Sequence, residues 1–303
     1  MTAVGGEPVA FADSHVHFWK FHEHPWYPLL QEGGDESGLG DLSALRRDYL
    51  PAQYLRDAAD FAVRAIIHVN ATTAPGTHRA EVPWLHEQAA ETGWPTALIG
   101  SFDPGQSATE IERDLETQAE GHLFRGVRLV AGLEPGDPKL LDVYRICADH
   151  GWLFEVVSHP EQADEHAATL ERVPAGRFVL EHTGWPTSTD AGHFRLWRDG
   201  LTRLAALENL TVKISGLPMT IQSVAIADLR PWVEAAIESF GPRRSMFGSN
   251  FPVDGMYGSF ADLIGSYHQI AAELGDAAVQ DLFMDTAVRT YGIEVSAEDP
   301  ASK

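Results

Sequence analysis

Eight short runs of apolar and β-branched residues recur along this chain, and each is followed by a stretch with helical periodicity. The runs are "VAFADSHVHF" (9–18), "VRAIIHVNA" (63–71), "PTALIGSF" (95–102), "FRGVRLV" (124–130), "WLFEVVS" (152–158), "RFVLEH" (177–182), "LTVKISG" (210–216) and "RSMFGS" (244–249). Near-continuous apolar runs of this length mark strands buried on both faces of a parallel sheet. Between them, apolar residues recur at helical spacing around 51–60, 79–92, 107–120, 138–150, 161–172, 193–207, 229–240 and 259–274, with a closing helix near 276–291. In "SATEIERDLETQ", for example, Ile111 and Leu115 lie four apart with acids outside. Gly and Pro punctuate the joints in "TGWP", "DHGW", "VPAGR" and "SFGPRR". Eight strand–helix units predict a single (β/α)8 TIM barrel spanning residues 1–303. A doubly wound open sheet is the rival, but no Gly-rich phosphate loop follows the first strand. The segment 19–50 is a long β1–α1 connection, containing "GGDESGLGD", and is expected to reach over a site.

The length, 303 residues, is above the roughly 250 of an ordinary TIM barrel. A hydrophobic fraction of 44% supports a sizeable core. A net charge of −22 argues against binding nucleic acid through phosphate neutralisation, and an anionic membrane surface would repel the chain. The lone Cys147 lies in a helical pattern and reads as a small buried apolar residue. The first residues lack a charged and then apolar leader, and no run approaches the ~18 apolar residues of a membrane span, so a cytoplasmic location is the expectation. The expected partner is a small-molecule substrate, and the outer helical faces leave a homodimer open.

In such a barrel, residues at the C-terminal ends of the strands line the active site. By strand alternation, His15 and His17 point the same way, with Asp13 one step deeper. His22 and His24 belong to the following loop and read as surface or packing residues. Asn70 ends the second strand, sharing parity with His68. Arg128, inside an apolar strand, is costly unless paired, and could bind a carboxylate, polarise a carbonyl or pair with a structural acid. His159 ends the fifth strand and His182 the sixth. Glu181 points oppositely from His182 and is expected to tie down a neighbouring element. Lys213 and Ser215 share a face of the seventh strand, where Lys213 could pair with an acid below the site. Asn250 occupies the mouth position of the eighth, and Asp254 follows in the loop. Trp19, Trp26 and Trp185 give the mouth an aromatic lining suited to an acidic or aromatic small molecule.

The segments "DSHVHFW", "RGVR", "EHTGWP", "VKISGL" and "FGSNFPVD", in order from residue 13 to 254, resemble the amidohydrolase superfamily. The closer resemblance is to its branch of fuconolactonase-like and pyrone-dicarboxylate-lactonase-like hydrolases. It implies a TIM barrel that hydrolyses a small lactone, ester or amide. It also implies a divalent metal, zinc being the expected ion, among His15, His17, His182 and His159. The pattern departs at Asn250, where the family commonly carries Asp as ligand or base. A neutral amide is neither a general base near pH 7 nor a good zinc ligand. Two mechanisms follow. In one, a metal acidifies water while Asn250 orients it. In the other there is no metal: Arg128 or a histidine polarises the carbonyl, and His159, His182 or Asp254 takes the proton. The alternatives in function are a metal-dependent decarboxylase of a small aromatic or unsaturated acid, and a catalytically altered barrel that only binds ligand.

Overall fold

The computed structural model describes residues 8–31 and 39–295. Most of "GGDESGLGD" therefore lies outside the described residues. Eight parallel strands form one sheet in sequential order: β1 (Ala10–Val16), β2 (Ala62–Val69), β3 (Ala97–Gly100), β4 (Phe124–Leu129), β5 (Leu153–Val156), β6 (Arg177–Leu180), β7 (Leu210–Ile214) and β8 (Ser245–Phe247). The sheet curls round until Val16 bridges Phe251 in parallel, with His17 N donating to Phe251 O at 2.9 Å and Asn250 N to His15 O at 2.8 Å. This is the (β/α)8 barrel that the alternating pattern predicts.

The helices are α1 (Pro51–Asp57), α2 (His78–Thr92), α3 (Ala108–Ala119), α4 (Pro138–His150), α5 (Ala163–Leu170), α6 (Ala191–Ala205), α7 (Leu217–Ile221), α8 (Ile226–Phe240), α9 (Phe260–Ala272), α10 (Asp276–Gln280) and α11 (Thr286–Tyr291). Local chemistry sets their ends. Ser107 and Glu110 form a capping box at the start of α3. Asp137 caps α4 ahead of Pro138, and Gly151 ends that helix in the left-handed region at φ 73°. The short α7 is not legible in the apolar pattern. The closing helix expected over 276–291 is present, with a π turn at Asp281–Asp285 joining α10 to α11.

Two apolar layers hold the barrel. Between sheet and helices lies the larger one, which includes Phe11, Leu98, Phe154 and Cys147, the last buried as expected. Inside the barrel, Ala12, Ala65, Ile67, Val69, Ile99, Leu153, Val179 and Met246 pack against Met284, Ala287 and Tyr291, so α11 plugs the floor. Reactive groups are thereby confined to the upper half of the axis. The first loop packs down by an antiparallel bridge between Trp19 and Tyr49. Within it His24 stacks on Trp26 at 3.8 Å and meets Trp84 edge-on, while His22 is exposed. Both histidines are packing or surface residues, as their sequence position implies.

Candidate active site

The inner-layer residues fix which strand positions face the axis, and they correct the sequence alternation at three strands. Ala12 faces inward, so Asp13 faces out, where it accepts from Tyr54 Oη at 2.8 Å and Ser249 N at 2.8 Å. Alternation breaks in a register shift between Asp13 and Val16, and that shift is what turns His15 inward. On β2, inward Ile67 and Val69 leave His68 and Asn70 on the helix side. Asn70 there donates to Glu81 of α2 and to Thr73, and its Oδ1 accepts from the backbone of Thr72 at 3.1 Å. On β6, inward Val179 makes Glu181 the inward residue by parity, not His182. His182 enters the site only because the chain turns through left-handed backbone, φ 48° at His182 and 53° at Thr183.

His15, Glu181 and His182 come together with potential ligand atoms within 4.8 Å of one another. His17 joins through His15, the two Nε2 atoms standing 3.2 Å apart. His17 Nδ1 donates to Val69 O at 2.8 Å, which leaves its Nε2 as a bare lone pair. The His182 ring centre is 4.5 Å from that of His15, and its Nδ1 is bonded to Ser215 Oγ at 2.9 Å. Gly216, at φ +64°, is required beside it, because a Cβ there would stand 2.5 Å from His182 Nδ1. Gly248 likewise lets β8 approach β1, since its Cβ would meet that of His15 at 2.8 Å.

Below the histidines lie two buried ion pairs. Arg128 Nη1 donates to Glu181 Oε2 at 2.9 Å, and Lys213 Nζ to Glu155 Oε2 at 2.6 Å. Arg128 also grips the backbone carbonyl of Asn70 at 2.9 Å, and Tyr291 Oη donates to Glu155 Oε1 at 2.6 Å. The pairing reading of Arg128 and Lys213 therefore holds. Burial pushes the Glu155 carboxyl upward, with the Lys213 charge opposing the rise and the Glu181 carboxyl adding to it. Glu181 Oε1 faces His15 Nδ1 at 3.9 Å, and the Glu155 carboxyl is a hydrogen-bond partner of the Glu181 side chain. Burial also holds the histidines neutral: His15 and His17 well below the ordinary range, His182 down to about 4.

The other expected site residues are placed differently. His159 is not in the cluster; its Nδ1 faces Trp185 O at 3.3 Å, and its ring borders a cavity of about 220 Å³ between the sheet and α4–α5. The chain leaves β5 at Val156, three residues before His159, so alternation does not carry that ring to the axis. Trp19 is buried, stacks on His17 at 6.4 Å and donates through Nε1 to Arg47 O, so it forms site wall and not an open contact. Trp185 packs edge-on against His182 at 5.0 Å and is half-buried. Asn250 sits at φ 53° and donates through Nδ2 to Asp254 Oδ1 at 2.8 Å, while Asp254 Oδ2 accepts from Gly216 N at 3.2 Å. Asp254 is fully buried, burial raises its carboxyl well above the usual range, and the hydrogen bond it accepts holds Asn250 in place. Glu155, Glu181 and Glu81 were not singled out as site residues by sequence reasoning. The signal was available: two cations inside apolar strands require buried anions.

The donor set suits a divalent metal. Two ligands at 2.0–2.1 Å on one tetrahedral zinc stand about 3.3 Å apart, close to the observed 3.2 Å between the two Nε2 atoms. Burial holds all three imidazoles neutral, and the buried Glu181 carboxylate lies with His15 and His182 as a further potential ligand.

A family profile described as amidohydrolase matches residues 12–293. The chain belongs to the amidohydrolase family. It is an enzyme of that superfamily, a hydrolase with lactonase relatives. An L-fucono-1,5-lactonase of Burkholderia multivorans is 28% identical over 305 residues, covering 94% of this chain and 97% of that protein. A solved amidohydrolase structure from Burkholderia multivorans, with bound zinc, superposes with a TM-score of 0.79 at 26% identity, covering 94% of this chain and all of that one. A 5-carboxyvanillate decarboxylase of Sphingomonas paucimobilis superposes at 0.63 with 15% identity, over 95% of this chain and all of that one, and so shares the fold alone. No helix among the described residues is long and apolar enough to cross a membrane.

Proposed function

We propose that this amidohydrolase hydrolyses a small lactone with water at the barrel mouth, where His15, His17 and His182 would hold a divalent metal, zinc being the expected ion. The observation that carries the reading is the convergence of two buried Nε2 atoms at 3.2 Å, with the His182 ring beside them. The lactonase relative and the zinc-bound structural neighbour support it. Bound there, zinc would supply Lewis acidity towards the carbonyl and would lower the pKa of water to about 7.

The chain's own residues do the rest. Asp254 claims the Nδ2 of Asn250, so the free Oδ1 is the group that can accept a hydrogen bond from water and orient it. Asn250 takes no proton. The water oxygen bonds to the carbonyl carbon, the ring C–O bond breaks, and the departing ring oxygen receives the proton that the water gives up. Ser215 fixes His182 through Nδ1, and Glu181, held by Arg128, lies where it can accept from His15 Nδ1. Trp185 at the rim offers an apolar face to the sugar-like ring of a lactone.

The test is zinc content together with turnover of a panel of aldonolactones, before and after chelation. The expected result is near one equivalent of zinc, with activity lost on chelation and restored by zinc. Fully active protein with under a tenth of an equivalent would overturn the zinc reading. Carbon dioxide release from an aromatic acid, with no lactone opened, would replace the reaction.

A further inference from the structure

His15 Nδ1 lies between two groups that demand opposite things of it. Lys213 Nζ stands 3.5 Å away and, beyond its bond to Glu155, can donate to Nδ1 only if that atom is a bare acceptor. Glu181 Oε1 stands 3.9 Å away and can accept from Nδ1 only if that atom carries a proton. A neutral imidazole has one N–H, so each choice fixes the other end of the ring.

Take first the arrangement in which Lys213 wins. His15 Nδ1 is bare and its Nε2 carries the hydrogen. That hydrogen then points at His17 Nε2, 3.2 Å away, which must be bare because His17 Nδ1 donates to Val69 O. The chain Lys213 to His15 to His17 to Val69 is complete, with every donor matched to an acceptor. It leaves no lone pair on His15 Nε2 for a cation. Glu181 then receives nothing from His15 and keeps Arg128 and the neighbouring Glu155 carboxyl as its partners. In the second arrangement His15 Nδ1 carries the hydrogen and turns it to Glu181 Oε1. Both Nε2 lone pairs then face each other at 3.2 Å, which is repulsive unless a cation lies between them. Lys213 keeps its bond to Glu155 at 2.6 Å. No group changes its net protonation between the two arrangements; one hydrogen moves across the His15 ring.

We propose that Lys213 is a positioning residue that sets the His15 tautomer, so that it competes with Glu181 for Nδ1 and holds down the zinc affinity of the centre. This inference deepens the zinc reading and rests on it. Zinc binding must move His15 from the Lys213-bonded tautomer to the Glu181-bonded one. Removing the lysine removes that opposing bond.

Nitrogen-15 NMR of the imidazole rings distinguishes the two tautomers without any activity measurement, His15 being assigned by its loss in His15→Gln. In metal-free wild type we expect His15 as Nε2–H and His17 as Nδ1–H. On adding zinc alone, His15 becomes Nδ1–H. In metal-free Lys213→Met, His15 is already Nδ1–H, and the zinc Kd falls at least tenfold in a chelator competition. Lys213→Met strands a buried Glu155, so Lys213→Met/Glu155→Gln is measured in parallel as a variant with no uncompensated charge. An Nδ1–H His15 in metal-free wild type overturns the proposal, as does an unchanged tautomer with unchanged zinc affinity in the lysine variants. If neither wild type nor variant takes up zinc, the zinc reading and the affinity claim fall together, while the ring spectra of the metal-free proteins still decide whether Lys213 sets the tautomer.

Discussion

At the scale of single residues, the site is governed by what each polar atom has already been given. His182 is presented by Ser215, its partner at Nδ1. Replacing such an outer partner of a metal-ligating histidine typically costs about 10–100-fold in metal affinity or activity. With zinc held as proposed, Ser215→Ala is expected to weaken its binding by that factor with the fold intact, as checked by chelator competition and circular dichroism. Asn250 has a similar logic with a different outcome. Asn250→Asp would place a second carboxylate 2.8 Å from Asp254 in a fully buried setting. Two such groups cannot both ionise, so they would share a proton. We expect the variant to be about 2 kcal/mol less stable than wild type at pH 8. The gap should narrow by pH 5.5, where the shared proton is easily supplied. Urea unfolding at the two pH values measures this, and an equal gap at both would refute the shared proton.

At the scale of elements, helix α2 reaches the site through one side chain. Glu81 binds Asn70 Nδ2 and accepts from Ala71 N at 3.3 Å, and the Asn70 carbonyl in turn anchors Arg128, the partner of Glu181. Glu81→Ala would take this buried acceptor from Asn70 Nδ2 and Ala71 N, a loss of about 2–3 kcal/mol. It should also lower kcat more than it raises KM, because the disturbance reaches the centre through Arg128 and not through substrate. Steady-state kinetics with denaturant unfolding separates the two effects, and an unchanged kcat would remove α2 from the support of the site. The eight strands were legible because burial on both faces writes continuous apolar runs into the sequence. Strand parity at the mouth was less so. A register shift in β1 and a left-handed turn after β6 each move a histidine onto the axis, and neither leaves a periodic signal. Arg128 and Lys213 were visible as charges inside apolar runs. Glu155 and Glu181, which neutralise them, follow from the same reasoning carried one step further.

At the scale of the whole molecule, several groups are buried in the form that water does not favour, and stability depends on pH accordingly. His166, on the buried face of α5, is held down to about 4, by burial first and the nearby His159 charge second. A depressed histidine contributes stability that is present above its unfolded pKa of about 6.5 and is lost as pH falls through the folded value. Between pH 7 and pH 4.5 this group alone should remove about 2 kcal/mol from the fold. His166→Leu is expected to lose correspondingly less stability than wild type over that interval, as read by urea midpoints at both pH values. Equal losses in the two proteins would show that His166 titrates normally.

What the sequence determines by itself is the barrel and its family. Alternating apolar runs and amphipathic helices follow from local periodicity, and the five motifs from residue 13 to 254 follow from chain order. It also places most of the reactive residue types at strand ends. Only the tertiary structure decides which of them meet. His159 lies at a strand end and yet turns away to Trp185, while Glu181 comes in beside His15. The opposing demands of Lys213 and Glu181 on one ring nitrogen exist only because β6 and β7 bring both to the same side of β1. Periodicity records which face of a strand is buried, whereas a shared hydrogen depends on ångström-scale distances between residues far apart in the chain.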